Sequence, residues 1–196
     1  MDDHRNDSYA APDNGRLKQA LNPWRISARG LALLLLVLPA IAMHYTPQVR
    51  WDETDFLVMG LMLGGTGLAA EWLVRRSPNP WYRAASVVSV LTVFLTIWAN
   101  LAVGMIGSED SPFNLLFAGV PIIAFIGSAM ARFRPLGMAI SHGAAAAAQA
   151  GIAAMGAQID ARGGTFSALF AGLWLIAAVL YWLAASRAEG ASKSSR

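Results

Sequence analysis

The chain has 196 residues, 56% of them hydrophobic and only 14% charged, where a soluble domain carries charge on roughly a quarter of its residues. That composition excludes an ordinary water-soluble domain and points to an all-α membrane protein. With no cysteine, disulfides, thiolate nucleophiles and cysteine-ligated metal sites are excluded, and the net charge of +3 informs only through its distribution.

Residues 1–25 are polar, rich in Asp, Asn, Gly and Pro, and read as a disordered cytoplasmic tail. Six apolar runs follow, at 26–43, 56–74, 84–106, 113–131, 136–157 and 166–185. They predict a transmembrane domain over 26–186, with 187–196 as a second cytoplasmic tail. Each run can cross a hydrocarbon core of roughly 30 Å at about 1.5 Å per residue. Only helices suit such runs, because lipid offers no partner for a backbone polar group. The first run ends in Ala40-Ile41-Ala42, which resembles a signal-peptide cleavage site. The region before it is long for a signal peptide, so this run is expected to remain as a span.

Proline and glycine punctuate the runs. Pro39 and Pro121 fall inside the first and fourth spans, where each removes an i to i−4 bond and favours a kink. Pro78 and Pro80 break the chain after the second span, and Pro135 marks the turn into the fifth. Ser111-Pro112 supplies an N-cap and a first-turn proline for the fourth. Gly60 and Gly64, with Gly65 and Gly67, form a G-x-x-x-G pattern that permits close helix approach, read as packing within the chain. Glu71 precedes Arg75 by four residues, a favourable helical ion pair.

Charge orients the spans, since Lys and Arg concentrate on the cytoplasmic side. Placing both tails and the loops after spans two and four on that side leaves only Arg50 and Arg162 on the other. The opposite face also holds Asp52, Glu53, Asp55, Glu109, Asp110 and Asp160. Every loop agrees with one orientation, both termini inside. Trp24, Trp72, Trp81, Tyr82, Tyr181 and Trp182 are expected near the inner boundary, and Tyr45 and Trp51 near the outer one. Trp98 and Trp174 sit deeper and are expected to pack between helices.

Two groups of residues stand out as candidates. The third span carries a stripe of Ser89, Thr92, Thr96, Asn100, Gly104 and Gly107 on one face. The fifth presents His142 and Gln149 on one face beside Ala145, Ala146, Ala153 and Gly156. Equal depths predict that His142 meets Ser89 and Gln149 meets Thr96. The seam of Thr96, Asn100, His142 and Gln149 reads first as hydrogen-bonded packing and second as a hydrated path. The second group is the outer loop with Glu109, Asp110 and Asn114. Two adjacent carboxylates fall short of a calcium loop, so the loop reads as a solvated turn favouring the next helix dipole; cation binding and partner docking are the alternatives.

The stretch from Trp98 through Asp110, continuing to Pro112 and Asn114, resembles an AVGxIGSEDxPxN-like hairpin of small uncharacterised inner-membrane proteins of proteobacteria. Ala131 to Pro135 and the Arg75-Arg76 end of span two are similar to their counterparts there. The resemblance implies a location in the bacterial inner membrane and a hairpin motif, and no mechanism.

No acidic or basic residue lies in the middle third of any span, which argues against a proton-driven pump. Zinc-protease, nucleophile-elbow, phosphate-loop and dinucleotide motifs are missing. Ser141 and His142 are adjacent and point about 100° apart, so they do not form a serine–histidine pair together. The expectation is a bundle of six transmembrane helices with no catalytic residue, cofactor or metal, and no nucleic-acid partner. Its partners would be the lipid bilayer and either another protein or further copies of itself, as a non-enzymatic accessory, assembly or structural component. The alternative is a small-solute transporter or channel lined by spans three and five.

Overall fold

The computed structural model describes residues 23–47 and 50–194. It is all-helical, with no strand among the described residues. Among the described residues six α-helices follow one another: α1 Pro23–Tyr45, α2 Glu53–Arg75, α3 Pro80–Ala102, α4 Gly119–Met130, α5 Pro135–Gly156 and α6 Ala161–Ser194. A 3-10 helix, Pro112–Ala118, leads directly into α4. Four segments of the described residues are long and apolar enough to cross a membrane: α2, α3, the combined Pro112–Met130 and α6 over Ala161–Ala188. Helix α1 contributes the shorter apolar stretch Ala32–Tyr45. Helix α5 is not among the four; alanine, glycine, His142 and Gln149 dilute its hydropathy.

The tail expected over 1–25 lies outside the described residues as far as residue 22, and α1 begins within its last three positions. At the other end the tail expected over 187–196 is helical as far as Ser194, where the described residues stop.

Helix ends follow local chemistry. Asp52 and Asp55 cap α2 reciprocally, each backbone N–H donating to the other's carboxylate at 3.0 Å, as in a capping box. Asn79 caps α3 by accepting from the N–H groups of Trp81 at 2.9 Å and Tyr82 at 3.4 Å, and Pro80 opens the helix. The Asn79 amide also donates to the Ala184 carbonyl at 3.2 Å, tying the start of α3 to α6. Pro121 sits in the first turn of α4, just after the 3-10 segment. It has no N–H to give to Phe117, so the irregularity expected inside the fourth span takes the form of a tighter helix upstream. Ser111 occupies the N-cap position without a side-chain bond, and the helix it opens is 3-10. Pro39 lies within α1, which continues to Tyr45.

The chain divides into two compact units, Met1–Leu63 and Gly64–Arg196. The first holds α1 and the beginning of α2. In the second, α6 packs on both α5 and α3, and α4 packs on α5. Its core has three apolar clusters, around Tyr82 and Tyr181, around Met105 and Ile106, and around Val120 and Trp174. Tyr82 and Tyr181 are buried with ring centroids 5.4 Å apart, so both rings pack inside the bundle. Trp174 is buried as expected, whereas Trp98 is exposed. With Thr96 and Asn100 on the inward face of α3, Trp98 lies two residues from each and turns about 200° away. Among the described residues, a side chain added at Gly60, Gly64, Gly65 or Gly67 would meet nothing within 4 Å.

Candidate functional site

The polar stripe of α3 is buried from Ser89 to Thr96, as are His142 and Gln149 on α5. His142 Nδ1 lies 2.8 Å from the Met138 carbonyl one turn back. A carbonyl only accepts, so Nδ1 carries the proton and Nε2 is left to accept from the Ser89 hydroxyl, with which it is hydrogen-bonded. The expected link between the third and fifth spans is therefore made at Ser89. The imidazole also packs 5.0 Å from the Tyr181 ring and 5.7 Å from that of Trp174. One turn along, the Tyr181 hydroxyl donates to Ser86 at 3.2 Å, and Ser86 donates to the Tyr82 carbonyl at 2.8 Å. The Tyr82 hydroxyl reaches the Phe133 carbonyl at 3.1 Å.

Gln149 departs from expectation. Its amide donates to Ser167 on α6, at 3.0 Å to the hydroxyl and 3.2 Å to the carbonyl. Thr96 is not its partner: the Thr96 hydroxyl, Gln149 Oε1 and the Trp174 indole N–H are all buried without a hydrogen bond. The reason is the placement of α6, which packs on both α3 and α5 and brings Ser167 to the carboxamide. Ser167, Phe170, Trp174, Ala177, Tyr181 and Ala184 are all buried and recur at three- and four-residue steps, a stripe that the sequence displays.

Helix α3 ends at Ala102, four residues before the expected end of its span. Gly104 and Gly107 are therefore loop residues, at φ +68° and +72°, and not members of a helical stripe. Met105 and Ile106 between them fold inward and are buried. Asn114 organises this turn. Its Oδ1 accepts from the N–H groups of Met105 at 3.1 Å and Ile106 at 2.9 Å, and its Nδ2 donates to the Ser108 carbonyl at 2.8 Å. Asn100 donates to the Asn114 carbonyl at 3.0 Å, while its own Oδ1 is buried without a partner. An added Cβ at Gly104 would lie 2.7 Å from Asn114 Nδ2 and from the Ser108 oxygen. At Gly156 it would collide with Ile106, so that glycine lets α5 receive the loop.

Asp160 completes the arrangement, and its role is larger than the charge it adds to a loop. Its Oδ1 caps α6 by accepting from Arg162 and Gly163, each at 3.0 Å, and its Oδ2 accepts from Gly107 at 3.2 Å. The N–H groups of Gly163 and Gly107 hold its carboxyl below the usual carboxylate range. An Asp just before a helical run is a legible cap signal; its second contact, across to Gly107, has no local signature. Glu109 and Asp110 are exposed at the tip. Among the described residues no three His, Asp or Glu side chains come together to hold a metal ion.

The Ser89–His142 pair has the atom order of a nucleophile and its base. It sits in the interior of α3, where neighbouring N–H groups are committed to helical bonds. Ser89 is 5% exposed and His142 1%. The pair joins α3 to α5 as a buried interhelical clamp. No protein-family model, curated protein or solved structure matches the chain.

Proposed function

We propose that the chain is a six-span protein of the bacterial inner membrane, with both termini in the cytoplasm, that acts as a non-enzymatic accessory, assembly or structural component. The distribution of Lys and Arg and the proteobacterial hairpin resemblance support the location and orientation. Helices α1 and α5, at 23 and 22 residues, are long enough to join the four apolar spans, at about 1.5 Å per residue. The observation that carries the functional reading is the use made of the polar groups. Ser89 with His142, Gln149 with Ser167, and Tyr181 with Ser86 join helix to helix in a buried core.

A transporter or channel along α3 and α5 is the second reading. The unpartnered Thr96 hydroxyl, Asn100 Oδ1 and Gln149 Oε1 favour it, because a solute or water passing along the seam would find them available. Reconstituted vesicles separate the two. An accessory component leaves vesicles as tight to small ions and polar solutes as protein-free controls, and a photoreactive side chain in place of Glu109 gives a discrete adduct in native membranes. A solute flux that disappears in Gln149→Leu, with no adduct formed, would overturn the accessory reading in favour of the transporter.

A further inference from the structure

We infer that the groove between α5 and α6 is a seat for one anionic phospholipid of the bilayer, with its acyl chain in the groove and its phosphate on Arg132 and Arg134. The groove is shallow and open along its length, with a volume of about 280 Å³, and is lined by Leu136, Ala139, Ile140, Ala178, Val179 and Trp182. All six are apolar or aromatic, and the two alanines leave the space that larger side chains would fill. Helices α5 and α6 run in opposite directions across a short turn. Leu136 therefore lies at the depth of Trp182, and Ile140 about 6 Å along at the depth of Ala178 and Val179. The groove is thus elongated along the helices, the direction of an acyl chain.

Charge selects the headgroup. The open end at Leu136 and Trp182 is the end at which the α4–α5 turn presents Arg132 and Arg134, both exposed. Neither forms an ion pair with any described residue. Arg134 stands two residues before Leu136, and a guanidinium matches a phosphate bidentately. Arg132 is held in place by an uncommon backbone. It and Phe133 have φ of 52° and 57°, and Phe133 is fixed by Tyr82 and by Arg76 stacked over its ring at 4.8 Å. Trp182 is 55% exposed at the same end, where an amphipathic indole suits the headgroup level.

The inference rests on the membrane reading, and native mass spectrometry of the detergent-solubilised full chain tests it with phosphatidylglycerol and phosphatidylcholine of matched chains. The expected result is one retained phosphatidylglycerol, preferred about twenty-five-fold, or roughly five-fold for each arginine. The preference should vanish in Arg132→Gln/Arg134→Gln, and retention of the lipid should fall in Ala178→Leu and in Ala139→Leu, two independent fillings of the groove. Equal retention of both lipids by the native chain overturns the inference. So does a preference that survives the double arginine variant, or displacement of the lipid by millimolar inorganic phosphate, which would mark a soluble anion. A chain that stays monodisperse without detergent would overturn the membrane reading itself.

Discussion

Replacing Asn114 by alanine removes the three side-chain hydrogen bonds that hold the α3–α4 turn. Two of the groups left behind, the N–H groups of Met105 and Ile106, belong to residues that are 1% and 0% exposed. Water has no route to them unless the turn opens. Each buried donor left unpaired costs about 1–3 kcal/mol, so the pair is worth about 2–6 kcal/mol. The Ser108 carbonyl adds little, because that residue is exposed and its oxygen can turn to solvent. Unfolding of the purified protein in mixed micelles, followed by helical circular dichroism against the mole fraction of a denaturing detergent, reads this difference. Leu115→Ala is the matched control: its neighbouring side chain is 74% exposed, and the change is expected to stay within about 0.5 kcal/mol. If Asn114→Ala is as stable as Leu115→Ala, the turn is not held by this carboxamide and the reasoning fails.

Three further outcomes follow from the same contacts. Gly104→Ala is expected to destabilise by more than Gly107→Ala in the same titration, since both have positive φ but only the first would press Cβ to 2.7 Å from Asn114, against 3.9 Å from Ser111 for the second; equal losses would contradict this. A double-mutant cycle should couple Gln149 to Ser167 by about 0.6–2 kcal/mol and leave Gln149 and Thr96 uncoupled, given the bonds made. Asp160 gives a pH dependence. Its carboxyl is held below the usual range, so its anchoring of Gly107 is complete above the ordinary carboxylate pKa and is lost as pH falls through the lowered value. In that acidic window, after correction for the intrinsic rate, protection of the Gly107 amide from hydrogen exchange should fall in the native protein but not in Asp160→Asn.

The helices were legible because apolar length is what lipid demands of a helix, and the runs at 56–74 and 136–157 match α2 and α5 to within a few residues. The third span was read too long for a physical reason. Val103, Met105 and Ile106 are as apolar as the helix before them, and hydropathy does not distinguish a side chain facing lipid from one folded under a turn. The two glycines at positive φ were the available sign. The Ser89–His142 contact was readable from equal depth on two spans running the same way. Gln149 was misassigned because pairing by depth ignores a third helix, and it is α6 that supplies Ser167. The carboxylates singled out by their adjacency, Glu109 and Asp110, lie exposed. The one that ties the loop to the bundle is Asp160, 53 positions from Gly107 in sequence, a separation that no local pattern spans.

A packed core and a path for water make opposite demands on the seam of α3, α5 and α6. The chain has no cysteine, so single cysteines at positions 96, 142 and 149 can be challenged with a small membrane-impermeant thiol reagent from each side of sealed vesicles, with position 109 as the accessible reference. A packed seam gives rapid labelling at 109 from one side only and protection at 96, 142 and 149 from both. Labelling of those three would contradict it and would mark the seam as a hydrated pathway.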